Sequence, residues 1–307
     1  MSQVAVLEYF DCERLDALLR GEAHALPAEE CDAGEVVALV SGGGIVVDAD
    51  LLALYPRARV AVTGSTGYDH MDLDHLRAAG VVGYCTPGYC SREVADFALA
   101  CALAGLRGIV GLDRAMQTGV WEERAAGTTH RIRGSVLGVV GLGKIGGLVA
   151  RDATALGMRV LASDPVASDE AFAEAGAERS ELGDLLAASD VVTLHAPHVR
   201  GAAPLLGRKE VPLFKPGSIL VNAARAELID IEELIHGLAQ GRPAWAFMDV
   251  WDSEPPEPDD HRLDAPNLVL TPHAAWYSPE SEAALYERIA ETTLAALRGE
   301  TTRGLVT

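Results

Sequence analysis

Short apolar runs recur along the chain, and glycine or proline closes most of them. Residues 4–7, 36–40, 59–63 and 81–84 are the first four. Ser41-Gly-Gly-Gly44, Gly64-Ser-Thr-Gly67-Tyr68 and Thr86-Pro-Gly88 follow the last three. Leu15, Leu18 and Leu19 sit at helical spacing between the first two. Continuous apolarity marks strands buried on both faces. With helical stretches between them, these runs predict a small parallel α/β unit over residues 1 to about 90. Its glycine turns fall at the carboxyl ends of strands, where ligands bind in open α/β sheets.

Residues 91–119 carry one long helical pattern, broken or ended near Gly111 or Gly119, with Ser91 as its expected N-cap. Val94, Phe97, Ala98, Cys101 and Ala102 form its apolar stripe. Residues 119–133 are polar and irregular. From Val136 the alternation resumes, with strands predicted at 136–140, 159–163, 191–194, 218–222, 245–249 and 268–270. Helices are predicted at about 146–156, 169–175, 182–188, 209–214 and 231–239. Asp230 with Glu233 gives the last of these a capping-box-like start, and Gly241 and Pro243 end it. Six strands with crossover helices predict a doubly wound nucleotide-binding sheet.

Composition narrows the class. Of 307 residues, 49% are hydrophobic, enough for a substantial core. A formal charge of −20 excludes general nucleic-acid binding but not a small anionic ligand held by local donors. The five cysteines include no C-x-x-C, which reads as free thiols in a reducing compartment, with neither a disulfide frame nor a metal site. The N-terminus lacks a basic stretch followed by a long apolar one, and the apolar helix at 94–106 is too short to span a bilayer and contains Asp96. A cytoplasmic protein with no membrane partner is expected.

The candidate chemistry begins at Gly141-Leu-Gly143-Lys-Ile-Gly146, which follows the strand at 136–140 and opens a helix. Gly141 permits the turn, Gly143 lets the backbone approach a pyrophosphate, and Gly146 lets the helix pack on its strand. The next strand ends in Asp164, 18 positions after Gly146. That is close to the offset of about 20 residues expected of the acid that binds the adenosine ribose, and a carboxylate there favours NAD over NADP. Hydride transfer to a carbonyl then needs a proton donor, a cation for the substrate, and groups for the nicotinamide. The ends of the last strands offer all three: Arg225 after Asn222, Asp249 and Glu254 after the strand at 245–249, and His273 after Thr271-Pro272. A carboxylate beside the imidazole favours its protonated form.

This order of motifs, with His195-Ala-Pro197, Gly67-Tyr68-Asp69 and Thr86-Pro87-Gly88, resembles the D-isomer-specific 2-hydroxyacid dehydrogenase family over nearly the whole chain. Residues 271–278, Thr-Pro-His-Ala-Ala-Trp-Tyr-Ser, resemble in particular its C-terminal-binding-protein branch of transcriptional corepressors. The resemblance implies two parallel-sheet domains, Rossmann-like and flavodoxin-like, with the active site in the cleft between them. The first would be discontinuous, 1–93 completed by 285–307 with a returning helix near 282–298. The second, 94–284, would bind NAD. It implies His273 as general acid/base with Glu254 as its partner, and Arg225 on the substrate carboxylate. NAD would lie on Gly141, Gly143, Lys144, Ile145, Gly146, Asp164, His195, Ala196, Pro197, Ala223, Ala224, Arg225, Asp249 and His273. Gly43, Ser65, Thr66, Gly67, Tyr68 and Trp276 would join Arg225 around a small 2-oxo or 2-hydroxy acid. A homodimer through the NAD-binding domains is also implied.

Three departures from the family pattern stand out. The usual glycine after the arginine is Ala226, which a positive φ would strain. The usual asparagine after Asp69 is His70, and Val199 replaces a common threonine. Two other readings use the same fold: an NAD(H)-sensing scaffold of the corepressor type, and oxidation of a small anion such as formate or phosphite. Formate-oxidising relatives resemble the chain less, because they pair the histidine with glutamine.

Overall fold

A computed structural model describes residues 2–307. The chain divides into two compact units. The first runs to Cys90 and resumes at Tyr277–Thr307; the second is Ser91–Trp276.

In the first unit, β1 (Gln3–Val6), α1 (Cys12–Leu18), β2 (His24–Pro27), β3 (Val36–Ser41), α2 (Ala49–Leu54), β4 (Val60–Thr63), α3 (Leu73–Ala79) and β5 (Val82–Tyr84) alternate. The strands form one parallel sheet in the order β2-β1-β3-β4-β5. Every residue of β3 and β4 is buried, as their unbroken apolar sequence requires. β2 is an addition to the expected strands. Its His-Ala-Leu-Pro sequence suits an edge, where proline's missing N–H costs nothing.

The second unit opens with α4 (Ser91–Leu106) and α5 (Ile109–Gln117), bent by 61°. The helical stretch ends beside Gly119, as expected, but its break lies at Gly108, with φ +64°, three residues before Gly111. Gly111 serves packing instead: a Cβ there would stand 2.8 Å from Ala126 Cβ. Ser91 is the first residue of α4 itself and not its cap.

Then follow β6 (Val136–Val140), α6 (Lys144–Ala155), β7 (Arg159–Ser163), α7 (Asp169–Ala175), β8 (Glu178–Arg179), α8 (Leu182–Ala188), β9 (Val191–Leu194), β10 (Ile219–Asn222), α9 (Ile231–Ala239), β11 (Trp245–Met248) and β12 (Leu268–Leu270). All pair in parallel, in the order β12-β11-β10-β9-β6-β7-β8. The sheet therefore has seven strands where six were expected; the extra one, β8, is a two-residue exposed edge. The helix expected at 209–214 is only a 3-10 turn at Val211–Leu213, because Pro212 cannot donate to a longer ladder. Asp230 caps α9, accepting the Glu233 N–H at 3.2 Å. Two apolar layers cover the sheet, one including Leu137, Val139 and Ile219, the other Leu194, Leu220 and Met248.

The last helix, α10 (Pro279–Leu297), belongs to the first unit. Ser278 and Ser281 form a reciprocal capping box, and Pro279 occupies the first turn, where its missing N–H is harmless. The helix thus begins before residue 282, and the chain changes unit at Tyr277, ahead of the expected 285. The other boundary falls at Ser91, because α4 packs as a whole on α6 and β10. Leu285 and Ile289 are buried on the first sheet, each contributing about 2 kcal/mol of apolar burial. No single helix among the described residues is long and apolar enough to cross a membrane.

Candidate active site

The second sheet lines up six strand ends along one carboxyl edge. In spatial order they carry His273 after β12, Asp249 after β11, Arg225 after β10, His195 after β9, the glycine turn after β6 and Asp164 after β7. Five strand spacings make this edge roughly 24 Å long. The strand order reverses beside β6, which is the switch point where such sheets receive ligands.

At the glycine turn, Gly141 has φ +91°, and a Cβ there would stand 2.6 Å from Ala196 N. A Cβ on Gly146 would lie 2.0 Å from Gly141 O. Gly143 caps α6 and faces open space. Tight packing behind the turn and free room at the helix start fit a pyrophosphate against unshielded N–H groups. Lys144 is exposed beside it and Ile145 half-buried. Asp164 Oδ2 accepts the Leu142 N–H at 2.8 Å, and Oδ1 accepts those of Val166 and Ala167 at 2.9 and 3.0 Å. Burial pushes this carboxyl up, but the three N–H bonds and the Arg179 charge outweigh it and hold it below its usual range.

His195 donates its N–H to Val140 O at 2.7 Å, and its Nε2 lies 3.0 Å from Thr193 Oγ1. Burial pushes its imidazole down to about 4, so the ring is neutral at physiological pH. Ala196 supplies the backbone wall against Gly141, and Pro197 is exposed.

After β10, the wholly buried Asn222 organises the turn. Its Oδ1 accepts the Ala224 N–H at 3.0 Å and its Nδ2 donates to Arg225 O at 2.8 Å. Ala223 and Ala224 are thereby held beneath Arg225, whose Nη1 donates to Ala224 O at 2.8 Å. Ala226 is buried in a 3-10 turn and has no positive φ, so alanine stands there without strain.

Asp249 is 2% exposed, and its two oxygens tie down the loop after β12. Oδ1 accepts from Thr271 Oγ1 at 2.6 Å and Ala274 N at 2.9 Å; Oδ2 accepts from Ala275 N at 2.9 Å. The His273 N–H donates to Asp249 O at 2.9 Å, and His273 itself has φ +51°, rare for a residue with a side chain. Strain of this kind persists where surrounding bonds over-determine the backbone. His273 Nδ1 lies 2.7 Å from Glu254 Oε2, and Glu254 Oε1 accepts the Trp251 N–H at 2.9 Å. Burial raises the Glu254 carboxyl, but hydrogen bonds from His273 and Trp251, with the Arg225 charge, bring it below its usual range.

Sequence reasoning did not assign Trp251, Asp260 or Arg262. Trp251 is buried; its Nε1 donates to Asp260 Oδ2 at 3.1 Å, and the Arg262 guanidinium lies over its ring. Arg262 also binds Asp252 through both Nη atoms, at 2.7 and 3.0 Å. This network braces the loop that bears Glu254. Asn222, Thr271 and Trp251 stand within or beside the recognised motifs, but nothing in their spacing reveals that their role is to hold backbone.

In the first unit, Ser65, Thr66, Gly67 and Tyr68 follow β4, and Gly43 follows β3. Thr63 Oγ1 lies 2.9 Å from Ser65 Oγ and 3.0 Å from His70 Nε2, so His70 braces this turn. Thr86 Oγ1 donates within it, 3.2 Å from Thr63 O and also 3.2 Å from Ser65 O. Trp276, half-buried, is the last residue of the second unit. Among the described residues no group of three or more His, Cys, Asp or Glu could hold a metal ion.

Comparison with known proteins matches residues 99–275 to the D-isomer specific 2-hydroxyacid dehydrogenase, NAD binding domain. A glyoxylate reductase of Korarchaeum cryptofilum is 34% identical over 281 residues, 91% of this chain and 83% of that protein. A D-3-phosphoglycerate dehydrogenase of Archaeoglobus fulgidus is 34% identical over 260 residues, 85% of this chain but 49% of that longer protein. The crystal structure of an Aquifex aeolicus D-lactate dehydrogenase with NAD and lactic acid superposes with a TM-score of 0.87 at 22% identity, covering 97% of this chain and 96% of that one. These relatives support the family and not, specifically, its corepressor-like branch.

Proposed function

The chain belongs to the D-isomer specific 2-hydroxyacid dehydrogenase family of NAD-dependent oxidoreductases acting on CH–OH donors, and from that premise we propose how its own residues perform the reaction. The observation that carries the proposal is the 2.7 Å contact between His273 and Glu254. NAD(H), when bound, supplies or accepts the hydride at the carbon of a 2-oxo or 2-hydroxy acid. Everything else falls to side chains. Nδ1 of His273 is engaged by Glu254, which leaves Nε2 to give a proton to the oxygen as the carbonyl becomes an alkoxide, and to take it back in reverse. The ionised Glu254 stabilises the imidazolium that reduction consumes. Arg225 binds the acid's carboxylate through its guanidinium fork and polarises the carbonyl. Ser65, Thr66 and Gly67 add backbone donors, with Gly43, Tyr68 and Trp276 around the remainder.

The cofactor rests on Gly141, Gly143, Lys144, Ile145 and Gly146 at its pyrophosphate. Asp164 takes the ribose, repelling a 2′-phosphate. His195, Ala196, Pro197, Ala223 and Ala224 line its path, and Asp249 holds the nicotinamide end besides bracing the loop of His273. The exposed Ile109, Met116, Val120 and Trp121 support a homodimer through this unit, which sedimentation would test.

The deciding experiment is NADH oxidation across a panel of 2-oxo acids, beginning with glyoxylate. Turnover with one or more is expected, and loss of nearly all of it in His273→Ala with NADH binding kept. The corepressor-like stretch 271–278 favours one second reading, a dinucleotide sensor. Tight NADH binding without turnover across the panel would select it.

A further inference from the structure

The carboxyl edge of the first sheet carries a carboxylate that this chemistry does not use. Glu8 lies just beyond β1, and β1 adjoins β3. Glu8 Oε1 accepts the Gly44 N–H at 3.1 Å, and Oε2 accepts the Gly42 N–H. Both donors belong to Ser41–Gly44, the turn that ends β3. Three consecutive glycines leave backbone N–H groups unshielded by side chains, the kind of concavity that anions occupy. Here the chain's own carboxylate has taken two of them.

This turn is hydrogen-bonded to the next one along the edge. Thr63 Oγ1 donates to Gly42 O at 3.2 Å and lies 2.9 Å from Ser65 Oγ, which donates to Gly67 O at 2.5 Å. The Gly64 N–H also donates to Ser41 O at 2.7 Å, so the turn that Glu8 holds is bonded through backbone to the start of the loop proposed to receive the substrate carboxylate. The edge is open: Gly43 faces free space, and Tyr9, next to Glu8, is 73% exposed.

We propose that Glu8 is a specificity-determining residue that restricts the enzyme to 2-oxo acids carrying a single negative charge. The inference rests on the reading that residues 65–67 bind the acid's carboxylate. An acid with an uncharged tail needs only that one anion-accepting loop. An acid whose tail ends in a second carboxylate or a phosphate needs further donors. On the β3 side of that loop the donors of Gly42 and Gly44 are already committed to Glu8, and Glu8 adds its charge. Charges one or two strand spacings apart, about 5–10 Å, repel enough at a protein surface to change affinity about tenfold.

The test compares kcat/KM with NADH for glyoxylate and pyruvate against oxaloacetate and 3-phosphohydroxypyruvate. Wild type should favour the first pair. In Glu8→Gln the ratio of dianion to monoanion efficiency should rise about tenfold, and the rise should shrink at high salt, which a purely structural role would not produce. Glu8→Asp, which keeps the charge, should hold the ratio near that of the wild type. A wild type that takes both pairs equally, or a ratio unmoved in Glu8→Gln, overturns the proposal. Binding of the same acids to the NADH-loaded protein separates this from the parent reading. Charge-ranked binding without turnover would count against the reductase and for Glu8; charge-blind binding would overturn the role of Glu8.

Discussion

Glu254 reaches His273 across nineteen positions of sequence, Oε2 to Nδ1 at 2.7 Å, while its other oxygen accepts the Trp251 N–H. A carboxylate held at both oxygens cannot swing away, so the imidazole it engages is held in one orientation. The two residues follow adjacent parallel strands, and it is the sheet that brings them together.

Glu254→Gln keeps the shape and removes the charge. Reduction should fall about 100-fold in kcat, with a smaller change in KM, because the imidazolium is what the step requires. Steady-state kinetics with NADH decide it. Wild-type kcat in this variant would mean that His273 needs no carboxylate.

Asp249→Asn places an amide among three donors. At least one of Thr271 Oγ1, Ala274 N or Ala275 N would then face a donor in a buried site, costing about 1–3 kcal/mol. The loop holding His273 at its positive φ should loosen. The expected result is a lowered melting temperature together with a kcat reduced more than about tenfold, a typical loss when a positioned proton donor is displaced. A defect confined to NADH affinity would assign Asp249 to the cofactor alone.

The three motif glycines should respond differently. Gly146→Ala puts a methyl 2.0 Å from Gly141 O, so α6 must shift, costing about 1–3 kcal/mol and the cofactor site with it. Gly141→Ala meets both a positive φ and the Ala196 backbone and should be at least as severe. Gly143→Ala meets no atom within 4 Å, so the protein should melt as wild type yet bind NADH more weakly. Calorimetry paired with NADH fluorescence titration tests the contrast; equal NADH affinity in Gly143→Ala would contradict the close approach of the pyrophosphate.

His195 should make stability pH-dependent. Its folded value of about 4 lies below the ordinary 6.5, so as pH falls the unfolded chain takes the proton first. The stability tied to this residue is complete above about 6.5 and is lost on descending toward 4, up to about 3 kcal/mol. Urea unfolding at a series of pH values should show this slope, and His195→Asn should flatten it. An equal slope in the variant would assign the acid sensitivity to the depressed carboxyls, such as Asp164 and Asp190, whose contribution is lost only lower in the acid range.

The sequence by itself determined the secondary structure of the second unit closely. β6, β7, β9 and β12 run over the expected residues; in the central β6 and β9 the apolar run is what burial on both faces requires. It also determined the glycine turn, since only a residue without Cβ can stand where Gly141 and Gly146 stand. Two of the four edge strands escaped, β2 and β8, which are short and partly polar because one side needs no partner. The helix break escaped as well, since Gly108 and Gly111 look alike in sequence and both pack on Ala126; only the positive φ of Gly108 marks where the chain turns.

Tertiary structure alone decided which side chains meet. Glu254 with His273, Asp249 with the loop of 271–275, and Glu8 with Gly42 and Gly44 are pairings of residues 19 to 36 positions apart. Residue spacing along a chain sets no distance between loops. Parallel pairing does, because it brings strands remote in sequence to neighbouring places and aligns their carboxyl ends on one edge.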